Sequence, residues 1–74
     1  MQLILYNLRK SEKGMSQQDM ADLLGISTKS YGMKERGQRE FTQDEMFAIS
    51  EYFDKPMGEI FLPRTYHIGT LNVK

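Results

Sequence analysis

The chain is cut into short helices by its own punctuation. Glycine stands at positions 14, 25 and 37, and a hydroxyl residue able to cap a helix follows each, at Ser16, Ser27 and Thr42. Glycine takes up the positive φ that closes a helix, and a Ser or Thr oxygen accepts from the free N–H groups of the next first turn. Helices this short hold in water only when they pack against one another. The spacing therefore predicts an all-α fold, a compact bundle of about five short helices.

The first helix runs from about Leu3 to Lys13, with apolar positions at Ile4, Leu5 and Leu8, and stops at Gly14. Ser16 opens the second ahead of Gln17-Gln18-Asp19, and Met20, Ala21, Leu23 and Leu24 follow at helical spacing. Only Ile26 separates Gly25 from Ser27, which caps a third helix reaching Arg36. Thr42-Gln43-Asp44-Glu45 has the form of a capping box and opens a fourth helix with the stripe Met46, Ile49 and Phe53. Pro56 starts a short fifth turn carrying Met57, Ile60 and Phe61, and Pro63 closes it. Residues 1–62 thus read as one domain. Residues 63–74 read as a C-terminal tail, either a short strand or disordered, because Tyr66-His67-Ile68 and Leu71-Asn72-Val73 alternate around Gly69.

Much chemistry is excluded by what the sequence lacks. There is no cysteine and only one histidine, His67, so neither a disulfide framework nor a Cys or His metal cluster is expected. No apolar run reaches the roughly 18 residues of a membrane span. The opening residues carry no basic leader or small-residue cleavage site, so a soluble, cytoplasmic protein is expected. No nucleophile–base–acid set, glycine-rich phosphate loop or pocketed pair of carboxylates is recognisable. The chain reads as a non-enzyme without cofactor or metal, and its six methionines as core filling. The formal net charge is zero, but it is unevenly spread. Residues 1–39 carry seven Lys and Arg against four acids, whereas residues 40–62 carry six acids against Lys55 alone. A polyanion could dock on the first half while the acidic half points away.

The stretch from Ser16 to Gly37 carries the functional signal. Two helices, about 16–24 and 27–36, are joined by a turn of three or four residues that sets them at a steep angle. Such a helix-turn-helix lets the first helix cross the DNA backbone while the second enters the major groove. Ala21 permits close approach of the two helices, and Ile26 and Tyr31 anchor the second to the core.

The run Gly14-Met15-Ser16-Gln17-Gln18-Asp19-Met20-Ala21-Asp22-Leu23-Leu24-Gly25-Ile26-Ser27 resembles the lambda-repressor-like, Xre/Cro-type helix-turn-helix domains. The resemblance continues through Tyr31, Glu35, Gly37, Met46, Ile49, Phe53 and Glu59-Ile60-Phe61, covering roughly residues 3–62. It implies DNA contacts by position. Gln17 would brace a phosphate and reach toward a base edge. Ser27, Thr28 and Lys29 would stand at the leading end of the recognition helix, and Met33 would face the groove and pack on a thymine methyl. Gln38 and Arg39 would contact the DNA backbone. Glu35 would pair with a basic residue of the first helix, Lys10 by its distance from Gly14, with Arg9 as the alternative. Three positions depart from the family's pattern. Lys34 replaces an apolar residue, its stem packing while its ammonium reaches solvent or phosphate. Gly32 interrupts the recognition helix, either as a close approach to DNA or as a tolerated glycine. Phe41 stands in a usual proline position, where it can staple onto Met46 or a neighbour.

The resemblance implies a transcriptional regulator, a repressor or Cro-like protein of a phage or mobile element. Its partner would be double-stranded DNA, a pseudo-palindromic operator bound by a homodimer that forms through the fifth helix, the tail or both. Two other readings stand beside it: an antitoxin-type autoregulator, and a protein-interaction adaptor that keeps the fold without binding DNA.

Overall fold

Each of the three hydroxyl caps closes a hydrogen bond. Ser16 Oγ accepts from Asp19 N at 3.0 Å, Ser27 Oγ from Ser30 N at 3.0 Å, and Thr42 Oγ1 from Glu45 N at 3.1 Å. Asp19 and Glu45 reach back to the N–H groups of Ser16 and Thr42, completing two capping boxes. The computed structural model describes residues 1–12 and 14–61, so the expected strand or disordered tail over 63–74 lies outside the described residues. The caps open α2 (Gln17–Leu24), α3 (Thr28–Glu35) and α4 (Gln43–Phe53), with α1 (Leu3–Asn7) before them and α5 (Met57–Ile60) after. All five are helical, and among the described residues there is no strand.

Helix ends follow one pattern. At the end of α3, Gln38 N donates to Met33 O and Gly37 N to Lys34 O, with Gly37 at φ 87°. This is the Schellman arrangement, which satisfies the last carbonyls of a helix. The same pair of bonds closes α4, but there the left-handed residue is Asp54, at φ 57°. An L-residue pays roughly 1–2 kcal/mol for this conformation, Asp somewhat less. Asp54 is exposed, so Asp54→Gly is expected to raise stability by roughly 0.5–1 kcal/mol, read as a higher urea midpoint with an unchanged m-value.

The first helix differs from expectation. In place of one α-helix over 3–13, α1 passes into a π-helical turn, Leu8–Glu12. Hydrogen bonds of the i→i+5 kind take up one more residue per turn than an α-helix does. Gln2, Leu5 and Arg9 face inward, while Ile4, expected on the apolar face, is 37% exposed. Leu23 is likewise 38% exposed. At about 100° per residue, Met20, Ala21 and Leu24 share one face of α2 and Leu23 falls beyond its edge.

The core is built from Leu5, Met20, Ala21, Tyr31, Phe41, Ile49, Phe53 and Ile60, with Leu8, Met15, Leu24, Ile26, Met46 and Phe61 packed around it. Phe41 belongs to this core. Its ring meets Tyr31 edge-on at 5.8 Å and Phe61 at 5.4 Å, joining α3 to the residue after α5. Among the described residues no helix is long and apolar enough to cross a membrane.

Candidate nucleic-acid interface

α2 packs more extensively on α3 than on any other helix, and Ala21, without side-chain bulk, is fully buried between them and the core. Gly25, at φ 72°, and Ser27 make the turn. On α3 the inward positions are Tyr31, Lys34 and Glu35. The helical repeat then turns Lys29, Met33 and Arg36 outward. Lys29 is exposed and makes no polar contact among the described residues; Met33 is half-buried. The outer face thus offers a free ammonium, a thioether one turn on and a guanidinium one turn beyond that.

This helix is fixed from beneath by a buried carboxylate. Glu35, 1% exposed, accepts four side-chain hydrogen bonds, two on each oxygen. Arg9 donates through Nε to Oε2 at 2.9 Å and through Nη2 to Oε1 at 3.1 Å. Gln17 Nε2 donates to Oε1 at 3.0 Å, and the Tyr31 hydroxyl to Oε2 at 2.8 Å. Arg9 Nη1 also donates to Met15 O, and Gln2 N donates to Glu35 O at 2.7 Å. One residue so ties together the first helix, the start of α2 and the end of α3.

Two expected roles are corrected. The partner of Glu35 is Arg9, not Lys10, because the π-helical turn absorbs one residue between the basic pair and Gly14. Lys10 is exposed, its ammonium 5.5 Å from the Tyr6 ring centre. Lys34, expected to reach solvent or phosphate, is 6% exposed, and its Nζ donates to both oxygens of Glu45 at 2.6 and 2.8 Å. Its stem packs as expected, but Glu45 takes the charge. Glu45 therefore caps α4 and ties it to α3.

The other candidates gather at the two ends of α3. Ser27 Oγ serves as the helix cap. Thr28 is the first residue of α3, and its hydroxyl donates to Gln18 Oε1 across the turn. Gln17 is held on Glu35 by one amide hydrogen, so bracing a phosphate would fall to the second. Gln38 Oε1 accepts from Arg36 at 3.2 Å, and Arg39 Nη1 donates to Ser30 Oγ at 3.1 Å. At Gly32 an added Cβ would lie 3.1 Å from Arg36 Nη1 and 3.3 Å from Gln17 Oε1, the ends of two long side chains. Gln18, Ser30 and Arg36 were not singled out by the sequence. A face plotted from Lys29 at 100° per residue would have included Arg36, whereas the bonds of Gln18 to Thr28 and of Ser30 to Arg39 become visible only in three dimensions.

The buried pairs fix the direction of pH dependence. Burial alone pushes the Glu35 carboxyl up, but hydrogen bonds from Arg9, Gln17 and Tyr31 and the Arg9 charge outweigh it, leaving it below its ordinary value. Glu45 is lowered in the same way, against burial, by the Lys34 bond and the Thr42 N–H. Burial, then the Glu35 charge and hydrogen bond, push the Tyr31 phenol up. Carboxylates with lowered pKa contribute stability that is complete above the unfolded carboxyl range, near pH 4, and lost as pH falls through their folded values. A phenol with raised pKa contributes stability that is lost as pH rises past about 10. Urea midpoints are expected to be flat from about pH 5 to 9 and to fall on both sides.

Among the described residues, no group of three or more His, Cys, Asp or Glu side chains could hold a metal ion. A family model described as Helix-turn-helix, of the lambda-repressor and Xre-like kind, matches residues 5–60. No curated protein and no solved structure is matched by the chain.

Proposed function

Because the chain belongs to the lambda-repressor-like, Xre-type helix-turn-helix family of DNA-binding regulators, we propose that it is a sequence-specific transcriptional repressor or Cro-like regulator that reads the major groove with α3. The observation that carries this reading is the outer face of α3, where Lys29, unpartnered among the described residues, and Met33 stand on a helix whose inner face is locked by Glu35. Lys29 suits guanine acceptors or a phosphate, and Met33 a thymine methyl. Ser27 and Thr28 lie at the leading end of the reading helix. Gln17, Gln38 and Arg39 flank it and are assigned to phosphates, which position a protein on the duplex without specifying sequence.

One helix of this length reads only a few base pairs. Two copies on a pseudo-palindrome, their half-sites about 10 base pairs apart, would supply the missing specificity, and a mobile genetic element is the setting we favour. The acidic surface of α4 and α5 is turned to protein contacts in this reading, and Phe47 and Tyr52, 56% and 42% exposed, give it apolar points of attachment.

Affinity for duplex DNA measured by fluorescence anisotropy across a salt series tests the proposal. Log affinity should fall linearly with log salt, by about 0.9 for each phosphate neutralised, and nuclease footprints should span two half-sites. Absence of binding at low salt would favour an adaptor that kept the fold. A single half-site held by a monomer would contradict the dimeric part.

A further inference from the structure

The first residue of α3 does not present a free hydroxyl. Gln18 Nε2 donates to Asp22 Oδ1 at 2.8 Å, and Thr28 Oγ1 donates to Gln18 Oε1. The direction of this relay is forced by chemistry. A carboxylate only accepts, so Asp22 takes the amide nitrogen of Gln18. That turns the amide oxygen to Thr28, and an oxygen that only accepts requires the threonine to donate its one hydrogen. All three side chains lie on the α2–α3 surface, away from the core: Gln18 and Asp22 are exposed and Thr28 is partly so.

We propose that Gln18 is a positioning residue that locks Thr28 as a hydrogen-bond acceptor, so that Thr28 selects a base presenting an amino group. The inference rests on the reading of α3 as the recognition helix. In the major groove the amino donors are adenine N6 and cytosine N4, whereas guanine O6 and N7 and thymine O4 are acceptors. A threonine free to rotate its hydroxyl serves either kind of edge. With its hydrogen held by Gln18, it has only lone pairs left for DNA, and a facing acceptor meets repulsion without a bond. Asp22, a full helical turn from Gln18 and without any expected DNA contact, therefore enters base selection by fixing which end of the Gln18 amide faces the turn.

The test is selection from random duplex DNA with the wild type, Thr28→Val, Gln18→Leu and Asp22→Ala, each checked for folding by circular dichroism. The wild type should prefer adenine or cytosine at one position of each half-site by roughly tenfold. Thr28→Val should abolish that preference, which identifies the position. Gln18→Leu should admit guanine and thymine there while leaving the remaining positions as they were, and Asp22→Ala should do so in part. A domain that was merely loosened would lose affinity for every base alike. Retention of the wild-type preference by Gln18→Leu, or no change at any position in Thr28→Val, would overturn the inference. Failure of the wild type to select any motif would instead remove the recognition-helix reading, and this inference with it.

Discussion

Glu35→Ala should leave the domain largely unfolded at neutral pH and ambient temperature. The substitution removes the acceptor of four side-chain hydrogen bonds and strands the guanidinium of Arg9, a side chain 8% exposed, together with the hydroxyl of the fully buried Tyr31. Breaking a buried ion pair by deleting one partner costs about 3–5 kcal/mol. A domain of this size commonly has no more than about 3–5 kcal/mol of stability in total. Circular dichroism at 222 nm should therefore show most of the helical signal lost, and urea titration should show no folded baseline. The charge itself is not what stability demands, because buried pairs are often replaced by apolar groups of similar volume with little cost. Arg9→Met with Tyr31→Phe and Glu35→Leu, which leaves no hydroxyl stranded in the core, should accordingly recover a cooperative transition. A Glu35→Ala protein with a wild-type urea midpoint would show that the cluster contributes little to holding α3.

The second large effect separates two lysines on one helix. Lys29→Ala should cost roughly 1–3 kcal/mol of operator affinity, the usual value of a specific base contact, with the melting temperature unchanged, since Lys29 is exposed and unpartnered among the described residues. Lys34→Ala should do the reverse. It removes the partner of a Glu45 carboxylate whose side chain is itself only 12% exposed, so it lowers the melting temperature, and the protein that remains folded binds its operator as before. Paired thermal melts and anisotropy titrations on both variants check this. If Lys34→Ala weakened binding at full folding, the ammonium would have to leave Glu45 for DNA.

Most of the fold was legible because it is specified locally. Ser16, Ser27 and Thr42 announce helix starts through chemistry that acts within three residues, and Gly25 and Gly37 announce stops through a conformation that other residues avoid. The core stripe of α4 followed from spacing alone. What sequence could not resolve depends on contacts across the fold. Distance from Gly14 puts Lys10 ahead of Arg9 as the partner of Glu35, one position off, because a π-helical turn looks like any other helical residues until its hydrogen bonds are seen. Lys34 reads as a cation available to phosphate until Glu45, 11 residues away, is found beneath it. The outward positions Lys29 and Met33 agree with helical spacing, and Gln18 and Asp22 stand at the i,i+4 spacing of one helix, whereas the link from Gln18 to Thr28 crosses a turn and leaves no periodic trace.

The central claim is that DNA is met by the outer face of α3 and not by the acidic surface of α4 and α5. The six methionines give six methyl reporters, and among those described Met33 stands on the outer face of α3, Met20 in the core, and Met46 and Met57 on the far helices. Methyl-labelled protein titrated with duplex DNA in an NMR experiment should show a large shift at Met33 and little change at Met46 and Met57. Shifts concentrated at Met46 and Met57 with Met33 unmoved would contradict the account, because α3 could not then be the element that reads the groove.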